Sequence, residues 1–510
     1  MKKAMKKLMA ALLAVAMVCA MAIPAFAAGG TEVTNSKVDV KNHKFEAYQI
    51  FSAKLDSTTK KLSDVEWGEG VKGADLLTAL KTATTLGDFG DCKNASEVAD
   101  VLSKFNNEQA TAFAAFVAKS YLTTTKTEGT GTITLPSSGY YLIKDVTPVE
   151  GEYDASNLTL LLVSDAETVT PQVKTDIPTL QKKVKDKNDS NGTTTDWQDS
   201  ADYDIGDTIP YQLTATLGNV SNFDTYYVEF VDTMTHLTYN SITSVKVGDE
   251  TLTAGQYTSS WDPTSKTLKV SIDDVKAYHA TNGSKIVVVY TATLDPDAII
   301  GSTGNPNEAH LIFSNNPNGN GYGKTAPDKN IVFTYKVVAN KVDQDDKPLA
   351  GAAFALYKKL PTQPTDGSSY VLQDGDAYAL VKELNVGADR KEVADKTQTI
   401  FEWKGIDDGE YMIKEIITPA GYNSIEPIKF KVEADHEIEV ADPKLTELTG
   451  GDKFTGAVST GTLTANIQNR MGSTLPGTGG IGTTIFYVVG GGLMVAAAVL
   501  LITKKRMENR

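Results

Sequence analysis

Two lysines stand where an alternating strand pattern places them on a predicted core face. Side chains two residues apart point to the same face of a strand, so Lys182 shares its face with Leu180 and Val184, and Lys341 shares one with Val337. A charged amine costs free energy to bury, and such groups neutralise or find a partner. The pattern therefore indicates two lysines in special chemical surroundings.

Acids and asparagines occupy predicted core faces in the same two regions. Asp232 and Glu415 each share a strand face with apolar residues in the middle of their region, and Asn315 and Asn469 do so in the last strand. Each region thus combines one lysine, one acid and one asparagine, in that order along the chain.

This combination can form a covalent bond. Burial lowers the pKa of a lysine and raises that of a carboxylic acid, which favours a neutral amine beside a protonated acid. The amine can attack the asparagine carbonyl while the acid polarises it, and ammonia leaves. Buried salt bridges, or lysines reaching out at a sheet edge, would use the same residues. The repeated order favours cross-links, Lys182 to Asn315 and Lys341 to Asn469, promoted by the acids Asp232 and Glu415.

The first part of the body, 28–174, mixes helical and strand-like spacing. Asn94 and Asn106 are expected N-caps, and Gln109, three residues after Asn106, completes a capping box. Strand-like runs follow these helices, which predicts an α+β domain. The helices are predicted over 73–81, 94–105 and 106–122.

The rest of the body is predicted to be all β. Alternating runs, separated by turn-forming residues at intervals typical of β-sandwiches, extend through 175–330 and 331–470, and the second region contains an insertion-like polar stretch at 361–400. We therefore expect a mainly β fold, with tandem immunoglobulin-like sandwiches behind the α+β domain.

Both ends of the chain carry segments that stand apart from this body. Residues 1–27 have a basic start, an apolar run and a final Ala-Phe-Ala, the pattern of a secretory signal. In the last segment, 471–510, the stretch 481–502 is almost uncharged, and at about 20 residues it is long enough to cross a bilayer. The basic tail behind it keeps that side cytoplasmic.

A short motif precedes this apolar stretch: Leu475, Pro476, Gly477, Thr478 and Gly479. The order of motif, apolar helix and basic tail resembles the sorting signal of Gram-positive surface proteins, Leu-Pro-x-Thr-Gly. The resemblance implies that a membrane-bound sortase attacks the Thr478 carbonyl, forms a thioester and transfers the chain. It implies a secreted protein of the cell wall whose precursor is transiently anchored in the membrane. A plain tail-anchored protein with a chance motif is the alternative.

The body resembles a known family as well. Residues 340–343 with 348–352 resemble the opening strand of a collagen-adhesin B-type (CnaB-type) domain, and 411–415 resembles its E-box. Residues 230–233 and 307–317 are similar to the isopeptide-forming second domain of fimbrial shaft proteins. The whole body resembles a three-domain backbone pilin of sortase-assembled pili.

The resemblance implies a structural role with protein partners. A lysine between the first two domains would accept the sortase thioester of another subunit, and Lys174 holds that place, although the usual Tyr-Pro before it is absent. Lys182 and Lys183 are further acceptor candidates. The implied partners are sortase, copies of the chain, accessory pilins, peptidoglycan and a host ligand. The alternative is a wall-anchored or pilus-tip adhesin, which needs no acceptor lysine.

Composition excludes other classes of function. The formal net charge is −15, and the basic residues lie disproportionately at the two termini, so the body lacks the footprint of a nucleic-acid-binding protein. Cys19 lies in the predicted signal, which leaves Cys92 alone and predicts a mature chain without an intramolecular disulfide.

Candidate catalytic and metal-binding patterns are weak. The five histidines have no metal-ligand spacing. Asp186, Asn188 and Ser190 resemble the start of a calcium-binding EF-hand loop, but Asn191 stands where that loop needs glycine, and no glutamate closes it. We expect no cofactor, no metal and no enzymatic activity beyond self-catalysed cross-linking.

Overall fold

The protein forms two compact units in the computed structural model. The first comprises the residues up to Val337 together with Lys404–Glu410 and Lys431–Leu463, and the second comprises Val338–Trp403, Tyr411–Phe430 and Thr464–Arg510. The model describes residues 41, 43–56, 61–146, 150–152, 160–164, 167–169, 177–218, 220–221, 223–317, 321–472 and 481–508.

The N-terminal region packs three helices against a sheet, so the expected α+β character is confirmed. The sheet has the order β2-β1-β5-β7, and β3 also pairs with β1. Phe113 and Val117 of the third helix pack in one core with Tyr48 and Leu142 of the sheet. The strands are β1 (Lys44–Asp56), β2 (Lys61–Trp67), β3 (Thr127–Thr130), β4 (Ile133–Thr134), β5 (Gly139–Asp145), β6 (Glu150–Glu152), β7 (Leu160–Ser164) and β8 (Thr168–Val169), and the helices are α1 (Gly73–Leu80), α2 (Ala95–Leu102) and α3 (Asn107–Ser120).

Helices α2 and α3 begin directly after the predicted cap residues. Asn94 accepts a hydrogen bond from the Glu97 amide at 3.0 Å, and Asn106 accepts one from the Gln109 amide at 2.9 Å. The Gln109 side chain accepts the Asn106 amide in return, which completes the expected capping box. Each cap satisfies backbone amides that have no partner inside the helix.

Two sheets form the middle region around one large core. Their orders are β16-β15-β19-β13-β9 and β12-β22-β20-β14-β18-β17, with β21 and β6 attached to the second. Every second residue of β13 is buried, as alternation predicts for a strand with one face on a core. The strands are β9 (Thr179–Val184), β10 (Lys187–Asn188), β11 (Thr193–Thr194), β12 (Ser200–Asp202), β13 (Thr208–Thr216), β14 (Val228–Met234), β15 (Leu237–Val247), β16 (Glu250–Thr251), β17 (Thr258–Asp262), β18 (Thr267–Ile272), β19 (Lys285–Leu294), β20 (Asn305–Ser314), β21 (Tyr322–Lys324) and β22 (Asp328–Phe333).

The C-terminal region of the body is also built from two sheets, with the orders β27-β23-β32-β31 and β25-β26-β24-β28-β29-β30. The polar stretch 361–400, expected as an insertion, supplies the two strands β25 and β26 of the larger sheet. The strands are β23 (Tyr335–Val342), β24 (Ala353–Lys359), β25 (Val371–Gln373), β26 (Asp376–Leu384), β27 (Ile400–Ile406), β28 (Gly409–Ile417), β29 (Ile428–His436), β30 (Leu445–Thr449), β31 (Thr455–Ala457) and β32 (Thr462–Gln468).

A long helix, α4 (Ile481–Glu508), ends the described chain. It includes the 18-residue span Val488–Lys505, which is long and apolar enough to cross a membrane. The expected apolar segment 481–502 lies within this helix, and the helix continues into the basic tail. The predicted signal 1–27 and the motif 475–479 lie outside the described residues.

The capping box gives a first testable prediction. Replacing Asn106 by Ala should lower the free energy of unfolding by about 1 kcal/mol, because the amide at Gln109 loses its acceptor. Hydrogen exchange of the Gln109 amide should accelerate in the variant. Lys104→Ala, at an exposed position just before the cap, is the control, and equal exchange rates in both variants would contradict the prediction.

Candidate functional site

The first candidate site lies in the core of the middle region. Lys182 from β9 donates hydrogen bonds from Nζ to Asp232 Oδ2 of β14 and, at 2.8 Å, to the Tyr290 hydroxyl of β19. The Tyr290 hydroxyl donates to the same Asp232 oxygen at 2.8 Å. Lys182, Asp232 and Tyr290 are all fully buried. The predicted inward lysine and inward acid therefore lie in direct contact.

Burial controls the charge of this pair. Desolvation lowers the pKa of Lys182 against the opposing attraction of Asp232. Desolvation likewise raises the pKa of Asp232, although Lys182 and Tyr290 act in the other direction. The amine lies 5.2 Å and 5.3 Å from the ring centres of Tyr211 and Tyr290, so its surroundings are largely aromatic. Both shifts favour a neutral amine beside a protonated acid.

The structure does not bring Asn315, the predicted cross-link partner, to this pair. Asp232 lies opposite Ala309 in the sheet, and Asn315 is six residues further along the chain. At about 3.3 Å per residue that is a separation of about 20 Å. Asn307, two residues from Ala309 in the other direction, lies at the site instead, and its Nδ2 donates to the Tyr290 hydroxyl at 2.9 Å.

Asn307 has the properties of a reaction partner. Its side chain is fully buried, and its Oδ1 has no hydrogen-bond partner among the described residues. The Tyr290 hydroxyl contacts the lysine, the acid and this amide, so it holds all three together. Asn307 and Asn315 are an even number of residues apart, so alternation places both on the same strand face. The alternating pattern alone therefore could not show which of them lies near Lys182. The alternating apolar run of β19 already pointed Tyr290 inward, but a tyrosine in a core is ordinary and gave no signal.

The second candidate site combines Lys341 of β23, Glu415 of β28 and Asn469, which directly follows β32. Asn469 Nδ2 donates to both carboxylate oxygens of Glu415, at 3.0 and 3.1 Å. Lys341 and Asn469 are fully buried, and Glu415 is 9% exposed. Asn469 Oδ1 has no hydrogen-bond partner in the described part of the chain.

The amine of Lys341 is held by two backbone carbonyls close to Asn469. Its Nζ donates to the backbone carbonyls of Val342, at 3.0 Å, and Ile467, at 2.9 Å. The Val342 carbonyl also accepts a hydrogen bond from the backbone N–H of Asn469, at 3.0 Å, so Lys341 Nζ and the Asn469 backbone share one acceptor. Burial lowers the pKa of Lys341 to about 8, against the attraction of Glu415 and Asp343. A pKa near 8 gives an appreciable neutral fraction at physiological pH.

Each site therefore presents a lysine of lowered basicity, a buried acid and an asparagine side chain. In the second site the acid already hydrogen-bonds the asparagine amide that would leave as ammonia. In the first site the tyrosine hydroxyl links the asparagine to the acid. These are the groups that nucleophilic attack on an amide requires, namely an uncharged nucleophile, an electrophilic carbonyl and a proton shuttle.

The N-terminal region has a different pair at the corresponding acid. Asp145 ends β5, and its Oδ2 lies 2.6 Å from Nδ1 of His43. Both residues are buried. A histidine thus faces this acid where the other two regions have a lysine. The predicted acceptor Lys174 and the motif Leu475, Pro476, Gly477, Thr478 and Gly479 lie outside the described residues.

Comparison with known families identifies two segments. Residues 335–444 match the SpaA family, a prealbumin-like fold domain. Residues 469–509 match the LPXTG cell wall anchor motif. The segment around the second site is thus a prealbumin-like domain, and the chain ends in a cell-wall anchor that makes it a surface protein.

Individual relatives are similar over part of the chain. The "Trypsin-resistant surface T6 protein" of Streptococcus pyogenes serotype M6 is 31% identical over 153 residues, which are 27% of this chain and 23% of the relative. The match thus spans about a quarter of that relative's length. The structure of the T6 backbone pilin of S. pyogenes is 16% identical, with a TM-score of 0.47 over 85% of this chain and 97% of that one. The structure of the full-length major pilin SpaD of Corynebacterium diphtheriae is 16% identical, with a TM-score of 0.41 over 85% of this chain and 94% of that one.

The lowered pKa of Lys341 predicts a pH-dependent stability. In an Asn469→Ala variant, which lacks the amide partner, the amine stays free. The folded state then loses its proton near pH 8, whereas the unfolded state keeps it to about 10.5. Because the unfolded state binds more protons between these values, the free energy of unfolding should rise with pH from about 8 to 10. Chemical denaturation at several pH values measures this rise.

The matched control is the double variant Asn469→Ala/Lys341→Met. It lacks the titrating amine and should show a flatter dependence over the same pH window. Identical slopes in the two variants would contradict the assignment of the effect to Lys341.

Proposed function

We propose that this protein is the structural backbone subunit of a covalently polymerised Gram-positive pilus. The observation that carries the proposal is the pair of buried Lys–acid–Asn sites, one in each of two successive β regions, in a chain that ends in a cell-wall anchor. Such sites suit a protein that must resist pulling and proteolysis in an environment where it forms no disulfide. The role is structural, and the chain is a substrate of sortase rather than an enzyme.

In each site the neutral lysine Nζ attacks the side-chain carbonyl carbon of the asparagine. A bond forms between Nζ and Cγ, and the bond between Cγ and Nδ2 breaks. The acid, Asp232 or Glu415, donates its proton to the departing nitrogen and takes up the proton that the attacking amine loses. Ammonia leaves, and the acid regains its original protonation state. The products are isopeptide bonds from Lys182 to Asn307 and from Lys341 to Asn469.

These bonds join the first strand of each β region to a strand near its end. Each closes a loop of about 125 residues, and a disulfide across a loop of about 100 residues is worth about 4–5 kcal/mol in the loop-entropy model. A pulling force would then pass through covalent bonds instead of separating strand from strand. This clamp supports a shaft role, because a shaft subunit carries the whole load of the pilus.

Polymerisation would use the anchor. A sortase cysteine attacks the Thr478 carbonyl, the bond to Gly479 breaks, and the resulting thioester is transferred to Lys174 of a neighbouring subunit. The chain thus joins head to tail with copies of itself and with accessory pilins, and finally with peptidoglycan. The fibre supports adhesion and colonisation, including contact with a host ligand.

The mass of the mature protein tests the cross-links. We expect an intact mass two ammonias below that of the unmodified chain. Asp232→Ala and Glu415→Ala should each restore one ammonia, because each removes the proton shuttle of one site. A mass equal to that of the unmodified chain would contradict the proposed chemistry and leave both sites as buried polar clusters.

The choice between the two asparagines of the middle region is tested in the same way. Asn307→Ala should restore one ammonia, whereas the matched variant Asn315→Ala should restore none. Fragment masses after proteolysis should contain a branched peptide that joins Lys182 to Asn307. A branched peptide that contains Asn315 would overturn the assignment made from the strand register.

The acceptor lysine is tested on cells. Lys174→Arg should abolish the detergent-resistant ladder of high-mass species while single subunits stay attached to the wall. Lys183→Arg preserves charge in the same way and should keep the ladder. A ladder that persists in Lys174→Arg would place the acceptor elsewhere, and a wild-type chain without any ladder would support a wall-anchored adhesin instead of a shaft subunit.

A further inference from the structure

Three metal-ligating side chains meet in the first unit, away from both cross-linking sites. Asp186 follows β9, Asp202 ends β12, and His436 ends β29. One ligand atom from each residue lies within 4.8 Å of the other two. The first and last of these residues are about 250 positions apart in the chain, so the fold, rather than local sequence, brings them together.

The carboxylate of Asp202 points to a ligand. Asp202 is 1% exposed, and its Oδ2 forms no hydrogen bond of ordinary length among the residues that the structure describes, although the Tyr335 hydroxyl interacts with this carboxylate. Asp186 Oδ1 is also buried, and it too has no hydrogen-bond partner among the described residues. A buried carboxylate oxygen without a donor is costly in free energy, and native proteins normally satisfy such an atom with a donor, a water molecule or an ion.

The imidazole of His436 is oriented for ligation. The Ser200 hydroxyl donates its single proton to the Glu437 carbonyl at 2.6 Å. Its oxygen therefore accepts from Nδ1 of His436, which lies 2.7 Å away. In the neutral ring Nε2 then carries the lone pair, and Nε2 is the atom that faces Asp186, 3.6 Å from its Oδ2. A hydrogen bond on one ring nitrogen with the other nitrogen free is the usual arrangement of a metal-bound histidine.

The surrounding charge is negative. The carboxylates of Asp186, Asp407 and Asp408 interact electrostatically with that of Asp202. A second group of four acids, Asp189, Asp204, Asp207 and Asp407, also has its oxygens within 4.8 Å of one another. A cation close to Asp202 would relieve this repulsion.

We propose that Asp186, Asp202 and Nε2 of His436 bind one divalent transition-metal ion, with zinc as the best match. Two carboxylate oxygens and one imidazole nitrogen suit zinc, at about 2.0–2.2 Å from each ligand, with water at the remaining position. Calcium prefers six or more oxygens and has no preference for imidazole. The ion would link the segment after β9 to strands β12 and β29. Neither isopeptide bond joins these three segments to one another, so the inference stands independently of the cross-links.

The EF-hand-like pattern noted in the sequence takes a different form here. Asn188 does not turn its amide towards the proposed ion, because its Nδ2 donates to both carboxylate oxygens of Asp408, each at 2.9 Å. Its Oδ1 accepts the backbone amides of Ser190 and Asn191. Only Asp186 of that pattern contributes to the site, and its partners come from distant strands.

Calorimetric titration of the detergent-extracted, metal-stripped full chain with zinc chloride tests the proposal. One equivalent of zinc should bind and should raise the thermal midpoint, because the ion binds the folded state alone. Asp202→Asn and His436→Gln should abolish this binding. Asp189→Asn removes one carboxylate from the neighbouring acidic group and should leave it intact, as the matched control. Ser200→Ala, which frees the histidine ring, should weaken it by about 10–100-fold.

A measurement on the unaltered protein tests the proposal even if the variants fail to fold. Diffraction at the zinc absorption edge from zinc-soaked crystals should show an anomalous peak within bonding distance of His436 Nε2. The proposal fails if no zinc binds, if His436→Gln binds zinc as the unaltered chain does, or if the peak lies among Asp189, Asp204 and Asp207. Preferential binding of calcium that Asp189→Asn abolishes would also overturn it, since the cation site would then be the all-oxygen group.

Discussion

A lysine amine in the middle of a β-sandwich is the constraint on which this structure depends. A charged amine cannot lie there at an acceptable free energy without a partner, and the chain places two of them at fully buried positions. In the middle region the aromatic rings and Asp232 surround the amine, and in the C-terminal region two backbone carbonyls hold it. Conversion of the amine to an amide would remove the charge permanently. The same groups that make burial costly would therefore also favour the proposed cross-linking reaction.

The fold class and the composition of the sites could be predicted from the sequence because both follow from local periodicity. Alternation identified the inward lysines and acids, and asparagine before a helical pattern identified the caps. Position along a strand could not be predicted in this way. Asn307 and Asn315 lie on the same face of the strand run, and only the pairing of Asp232 with Ala309 shows which of them is within reach. Register depends on long-range pairing, which a single strand pattern does not contain.

The residues of the proposed zinc site also could not be connected from the sequence, because long-range pairing brings them together. Asp186, Asp202 and His436 carry no spacing that would connect them, since Asp202 and His436 end two different strands and Asp186 follows a third. Periodicity also misjudged the polar stretch 361–400, where β25 and β26 form part of a sheet and β25 lies at its edge. An edge strand needs fewer apolar residues than a central one, because less of it is buried, and its sequence therefore resembles an insertion.

The length of the last helix limits where the anchor can be cut. Helix α4 has 28 residues and is about 42 Å long at 1.5 Å per residue, whereas the hydrocarbon layer is about 30 Å thick. With Lys504 and Lys505 at the inner surface, the outer surface falls near the start of the helix. The few residues between that point and Thr478 can span no more than about 20 Å. Any enzyme that cleaves after Thr478 must therefore place its nucleophile within about 20 Å of the bilayer surface. The anchor thus restricts cleavage to enzymes whose active site lies close to the membrane.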